Sequence, residues 1–400
     1  MLMQCRFLGG ALVALLILGS ISFDFAAAQE PVAPTGEQGS RQTNHRSLVE
    51  RAEPGGVGRP ERLSLYVDLF RLEMINDTRL FPFEVRATRD DDGRVVLDGY
   101  VGYDENRAAL VKYLNDLGFT RIEDRIEVLP SKSLGDARFG FIRVPHSLSF
   151  DRTTNQREVV TDCLLGAPLS LLKETDDGYL LCQGVEGYVG YVAAENVQRV
   201  GREDFARYQA GEQVRVRRDF LTPEGLFVPM GARLKCLGRE KESVVAELPA
   251  GGKITIPAES CQVHEEKVDA RIEPVIENAS KMLGAKYVWG GNTAKGVDCS
   301  GLVQTAFAAE GIHLPRDASQ QMYLGWLTAT RGNIDGLRRG DLLYFLGENG
   351  RISHTALYVG EGRYLEAVRP VVRYTSFDPE SEEYDARRAA AFCFAKRLLD

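Results

Sequence analysis

No two cysteines are spaced as CxxC, and none of the five histidines joins cysteine at the spacing of a zinc site. A zinc-built module is thereby excluded, and neither metal nor cofactor is called for. Beyond the first 28 residues no apolar run is long enough to span a bilayer, so the mature chain has no integral membrane span. Basic residues do not dominate either: 49 Lys and Arg stand against 57 Asp and Glu, a net charge of −8. That balance argues against nucleic acid or an anionic membrane as the main partner. The densest basic spot, Arg215, Arg217 and Arg218, alternates with Val214 and Val216 and reads as an exposed strand face. What remains is ordinary for a globular protein, and 400 residues exceed one core, so two to four domains are expected.

The start of the chain reads as a secretory signal over residues 1–28. Arg6 precedes an apolar run from Leu8 to Ile21, and Ala26-Ala27-Ala28 suits small-residue cleavage. An uncleaved anchor is the alternative. Export to the periplasm, the envelope or the medium makes disulfides permissible. Cys163 with Cys182, and Cys236 with Cys261, fall as local pairs in two adjacent modules, although spacing cannot fix connectivity. Residues 29–60, rich in Pro, Gly, Gln, Arg and Ser, read as a disordered linker.

Residues 61–132 read as a small α/β unit. Leu63, Tyr66, Phe70 and Met74 mark one helix face, and two strands join through Asp90-Asp91-Asp92-Gly93, a solvated turn rather than a calcium loop. Asp104 is placed to cap a second helix, and Ile122 to Leu129 is the last strand. Residues 133–204 and 205–265 read as two modules of short strands. Gly166-Ala167-Pro168-Leu169 recurs as Gly231-Ala232-Arg233-Leu234, and Ala194-Glu195 as Ala258-Glu259, which marks an internal duplication.

Chemistry concentrates in residues 266–400. Tyr287 to Val303, YVWGGNTAKGVDCSGLV, is a Gly-broken loop that runs into a helix at Asp298-Cys299-Ser300, with Gly311 as the stop. A thiol at a helix N-terminus meets unpaired N–H groups and the positive end of the macrodipole, which lowers its pKa. The bland alternative is a small buried hydrophobe. His354 lies on an alternating strand with Ile352, Ala356 and Tyr358 on its face, and a structural histidine is its plain reading. A three-residue hairpin at Gly360-Glu361-Gly362 would pair Val359 with Arg363 and set Glu366 diagonal to His354. A carboxylate there can hold the imidazole tautomer. The Cys299 backbone N–H is a candidate oxyanion donor.

"YVWGG…GVDCSGLVQ", "LPRDASQQ", "GDLLYF" and "ISHTALYVGEGRYLEA" in this order resemble the NlpC/P60 family of cysteine peptidases. The segment "GRVVLDGYVGYDENRAALVKYLNDLGF" resembles a BON domain, and "LLGAPLSLLKETDDGYLLCQGVEGYVGYV" a bacterial SH3 domain. The resemblance implies a multidomain chain: a BON-like α/β sandwich, two small SH3-like β-barrels and an α+β, papain-like catalytic domain. It also implies cleavage of the γ-D-glutamyl-L-diamino-acid bond in peptidoglycan stem peptides or released muropeptides. Cys299 would be the nucleophile, His354 the base, Glu366 its orienter in place of the family's usual histidine, and Tyr287 the second oxyanion donor. Asp298, Ser300 and Tyr188 would bind the amine of an N-terminal L-Ala, with Arg316 and Asp317 shaping the opposite wall. Rival readings are a non-catalytic wall-binding protein, and an amidase or acyltransferase on the same fold.

Overall fold

The computed structural model describes residues 45–75, 77–264 and 271–399. The signal segment, most of the expected linker and the link at 265–270 lie outside the described residues. The N-terminal unit comprises α1 (His45–Ala52), α2 (Leu63–Met74), β1 (Phe83–Arg89), β2 (Val95–Val101), α3 (Asp104–Asp116) and β3 (Ile122–Val128). Its sheet runs β1-β2-β3, antiparallel and then parallel, over a core that includes Tyr66, Phe70, Leu97, Leu110 and Tyr113.

Three details differ from expectation. The linker ends before α1, because Leu48 and Val49 are buried in the unit's core and His45 bonds Asp116 at 2.9 Å. Two adjacent apolar residues among polar ones give little periodic signal, yet they suffice to close the end of a small core. Met74, at the last helical position, is exposed, and Val67 fills the face instead. Asp104 opens α3 as its first residue and pairs with Arg107 at 2.7 Å rather than capping it. The acidic run is a hairpin turn as expected, closed by a Gly93 N–H to Asp90 carbonyl bond of 3.0 Å.

The second unit holds β4 (Phe139–Ile142), β5 (His146–Phe150), β6 (Val159–Leu164), β7 (Pro168–Glu174), β8 (Tyr179–Gly184), β9 (Val189–Ala193) and β10 (Val197–Val200). These form one antiparallel sheet ordered β10-β4-β7-β8-β9-β5-β6. Helix α4 (Arg202–Gln209) leads to the third unit: β11 (Gln213–Val216), β12 (Phe220–Leu221), β13 (Phe227–Val228), β14 (Arg233–Arg239), β15 (Ser243–Glu247), β16 (Lys253–Pro257) and β17 (Cys261–His264). Its main sheet is β16-β15-β14-β11-β17. The repeated segments take equivalent places. Gly166 and Gly231 both have positive φ just before a strand, and Ala194 and Ala258 both open a 3-10 turn. Cys163, Cys182, Cys236 and Cys261 are all free thiols; Cys182 points its Sγ at the Leu180 carbonyl, 3.4 Å away.

The C-terminal unit contains α5 (Ile272–Ser280), β18 (Asn292–Thr293), β19 (Gly296–Val297), α6 (Cys299–Ala308), α7 (Ala318–Gln321), β20 (Trp326–Thr330), β21 (Leu342–Leu346), β22 (Ile352–Gly360), β23 (Arg363–Val368), β24 (Val371–Ser376), α8 (Ala386–Ala391) and β25 (Phe392–Arg397). An antiparallel sheet ordered β20-β25-β21-β22-β23-β24 carries α5 and α6 on one face. Leu302, Val303, Ala306 and Phe307 of α6 share a core with Leu342, Tyr344, Leu357 and Leu365. The opposite face buries Leu343, Phe345, Ala356, Tyr358 and Phe392. Gly311 does end the helical run: its φ is +86°, and the Ile312 N–H returns to the Phe307 carbonyl at 3.0 Å.

The basic spot is an interface, not an exposed face. Arg215 is only 8% exposed, and Arg217 bonds Glu310 of the C-terminal unit at 2.6 Å. Only Arg215 lies on β11, while Arg217 and Arg218 follow it and Arg218 stays exposed; alternation in the sequence cannot show where the strand ends or what packs over it.

Candidate active site

Asp298 caps α6. Its Oδ1 accepts the Gly301 N–H at 2.7 Å, which fixes Cys299 as the first helical residue. Gly301 lets that first turn approach the preceding loop, since a Cβ there would lie 2.2 Å from the Gly291 carbonyl oxygen. The Cys299 backbone N–H belongs to the first turn, where N–H groups have no intrahelical partner.

The thiol lies against the backbone N–H groups of Thr355 and Ser300. Thr355 is the neighbour of His354 in sequence, and the Asp298 charge acts on Cys299, His354 and Tyr287 alike. Among the described residues no direct hydrogen bond joins thiol and imidazole; such contacts commonly tighten only once substrate is bound.

His354 Nε2 bonds Glu366 Oε2 at 2.7 Å, with both side chains buried. Burial alone would raise the Glu366 pKa. The hydrogen bond and charge of His354, then Arg388 and Thr375, overcome it and hold the carboxyl down to about 2. Glu366 is therefore ionised and accepts the Nε2 proton, which leaves Nδ1 as the basic nitrogen. Burial also lowers the His354 pKa, against the opposing Glu366 bond, so the imidazole is neutral near pH 7.

The hairpin differs in detail from expectation. Gly360, not Val359, pairs with Arg363, and Glu361 and Gly362 form a two-residue turn with positive φ. A compensating bulge brings Tyr358 opposite Tyr364 and Leu357 opposite Leu365, so Glu366 still reaches His354. A second bulge, between the Phe345 and Leu346 pairings, turns Ile352 away from the His354 side and toward the α6 core.

The thiol itself corrects the sequence argument. Burial pushes Cys299 up to about 12, and the adjacent Asp298 adds to this, while Thr355 N–H, Arg316 and Ser300 N–H oppose it. Cys299 is 6% exposed, and desolvation outweighs the helix terminus. Thiol and imidazole are thus both neutral at rest. For a base that must be unprotonated, a lowered pKa means that activity is lost only as pH falls below the free-imidazole value. The acid limb of kcat/KM is expected below pH 6.5, and a limb above that value would contradict this assignment.

Tyr287 stands beside the thiol. Burial first, then the Cys299 and Asp298 charges, raise its pKa, so its hydroxyl keeps its proton and can donate. That is what the expected second oxyanion donor, beside the Cys299 N–H, requires. Tyr287→Phe is expected to lower kcat by roughly 10²–10³-fold with little change in KM.

The other sequence candidates fall into two groups. Asp298, Ser300 and Arg316 form a buried network. Arg316 bonds Asp298 at 2.6 and 3.0 Å, Ser300 Oγ at 2.9 Å and Thr161 of the second unit at 3.1 Å. Asp298 also accepts from Gly290 N–H, Gly301 N–H and Ser300 Oγ. Five donors fill the roughly four lone-pair sites of a carboxylate, so Asp298 is not a free amine acceptor. Arg316, 2% exposed, is an interior strut rather than a cleft wall. Asp317 caps α7 and accepts from Arg79 of the N-terminal unit at 2.5 Å and from Tyr188 OH at 3.3 Å. Tyr188 ends the β8–β9 loop, whereas Tyr191 lies within β9 and meets Tyr100 at 3.0 Å. Glu186, in the same loop, carries no signal in the sequence that would single it out. It is a half-buried acid whose pKa is raised by burial and opposed by its own backbone N–H and by Arg316.

Residues 284–388 match the NlpC/P60 family. The gamma-DL-glutamyl hydrolase of Bacillus subtilis is 43% identical over 99 residues, which are 24% of this chain and 23% of that protein. The gamma-D-glutamyl-L-lysine dipeptidyl-peptidase of Bacillus cereus is 25% identical over 54% of this chain and 69% of its own length. Its B. subtilis namesake is 36% identical over 29% and 38%. The match therefore spans less than two fifths of either B. subtilis relative. A solved NlpC/P60 family protein from B. cereus superposes with a TM-score of 0.57 at 20% identity, covering 66% of this chain and all of that one, which shows a common fold. The helix that presents Cys299 and the strands that present His354 and Glu366 lie within the residues that match this family.

Proposed function

We propose that the protein is an exported cysteine endopeptidase that hydrolyses the γ-D-glutamyl-L-diamino-acid bond of peptidoglycan stem peptides. The observation that carries this reading is the Nε2–Glu366 bond, which frees Nδ1 of a neutral His354. His354 takes the thiol proton as Sγ attacks the γ-glutamyl carbonyl. The Cys299 N–H and the Tyr287 hydroxyl receive the oxyanion, and His354 then protonates the leaving amine. Water, deprotonated by His354, hydrolyses the thioester and regenerates the thiol. The names of the relatives support the glutamyl bond as target.

The substrate in this reading carries a free N-terminal L-Ala. Asp298 and Ser300 shape the strip beside the thiol, while Tyr188 and Glu186 of the second unit face the Arg316–Asp317 segment and receive the ammonium. The SH3-like and BON-like units would serve to narrow the cleft and hold it to short peptides.

The test is cleavage of L-Ala-γ-D-Glu-diaminopimelate and of its N-acetylated copy, by the mature protein and by Cys299→Ala. Cleavage of the free-amine peptide by the wild type alone is expected. Cleavage of both peptides would discard the amine gate and keep the peptidase. Cleavage of neither under reducing conditions would overturn the proposal.

A further inference from the structure

Arg215 on β11 stands directly opposite Arg233 on β14. Like charges in that position destabilise a sheet. Arg215 is more than nine-tenths buried, and its Nε has no hydrogen-bond partner among the described residues. Its Nη1 meets His313 Nε2 of the catalytic unit at 3.5 Å. Arg233 gives its Nε to Gln213 Oε1 at 3.3 Å. On the other flank Gln262 of β17 pairs with Arg215 in the ladder, and its Oε1 is also buried without a partner there.

Among the described residues no carboxylate acts on this cluster. Burial and Arg233 act on Arg215; burial, Arg215 and Arg233 act on His313; burial and Tyr208 act on Arg233. Glu310, three residues before His313, is engaged by Arg217 at 2.6 Å and Asn278 at 2.7 Å. Two guanidiniums are thus held together at an interface with no negative partner among the described residues, an arrangement that is costly unless an anion fills it. We propose that Arg215, Arg233 and His313 bind a small oxyanion of the phosphate class between the third unit and the catalytic unit.

Arginine forks suit such oxygens in bidentate geometry, and the Gln262 amide can turn its N–H₂ toward the same ligand. The depth of Arg215 admits a free ion or a terminal phosphate, not the middle of a polymer. The site is remote from catalysis. His313 follows the C-terminal end of α6, whose ten residues carry Cys299 at their head, a length of about 15 Å. A bound anion would tie the third unit to the catalytic unit, independently of the reaction proposed above.

Thermal unfolding of the full mature protein tests this, in phosphate against chloride and acetate at equal ionic strength and pH. Phosphate well above its Kd is expected to raise Tm by roughly 2–4 °C. Chloride and acetate should leave Tm unchanged. Glycerol phosphate as effective as phosphate would identify a phosphate terminus as ligand; a weaker effect would identify the free ion. Arg215→Met should abolish the phosphate shift and retain peptide cleavage, and Arg218→Met should retain both. If Arg215→Met does not fold, Gln262→Leu and Arg233→Met should each weaken the shift. No phosphate-specific rise in the wild type, or a rise that survives these substitutions, would overturn the proposal.

Discussion

Alanine at Cys299 or at His354 is expected to lower kcat by about 10⁴- to 10⁶-fold, and the double variant should be no worse than the worse single one. In the proposed mechanism thiol and imidazole act as one unit. A neutral thiol pushed up to about 12 is not a nucleophile until His354 takes its proton. Without the base the sulfur stays protonated; without the sulfur the base has nothing to activate. Glu366→Gln should cost roughly 10³–10⁴-fold for a related reason. Glu366 accepts from His354 through Oε2 and from Thr375 through Oε1, at 2.7 and 2.8 Å, and from Arg373 at 3.3 Å. A glutamine cannot accept on both sides, and its N–H₂ turned toward Nε2 would favour the wrong tautomer. Single-turnover kinetics, with Tm measured alongside, distinguish this from a folding defect. Additive losses in the double variant would show that the two residues do not act together.

Breaking the Asp298–Arg316 pair should have the largest effect on stability. Both side chains are nearly inaccessible, at 6% and 3%, and the pair joins the helix cap to a residue of the second unit. Removing one member strands a buried charge, at a cost of about 3–5 kcal/mol. Asp298→Asn keeps the cap and loses the charge; Arg316→Met strands the carboxylate. The double variant should recover part of the loss, since neither charge is then left alone. Denaturant midpoints of the four proteins measure this. The Asp298 charge also raises the Cys299 pKa, so Asp298→Asn should lower it, and the pH dependence of thiol alkylation reads that shift. A loss below ~1 kcal/mol for either single variant would mean that solvent reaches the pair.

Much of the site is legible in the amino-acid order. Asp298-Cys299-Ser300-Gly301 reads as a cap, a nucleophile and a close-packed turn because helix starts have local rules, and the cap is found where the rules put it. Glu366 is reachable by counting along a hairpin, although the count is carried by a bulge that spacing does not reveal. The duplication is visible because equivalent glycines and 3-10 turns need the same residues twice.

Other features are not local. The Leu48-Val49 helix is hidden in a polar stretch, and Arg215 on β11 reads as exposed although it is buried against the C-terminal unit. Asp298 reads as available to a substrate because a sequence displays a carboxylate but not its five donors. By itself the sequence determined the order of elements, the helix that begins at Cys299 and the strand that bears His354, since periodicity and capping act over a few residues. Only the tertiary structure decided that the thiol is protonated, that Asp298 is spent on Arg316, and that Arg215 lies against His313. Desolvation and charge pairing depend on which distant residues share a volume, and no spacing in one chain encodes that directly.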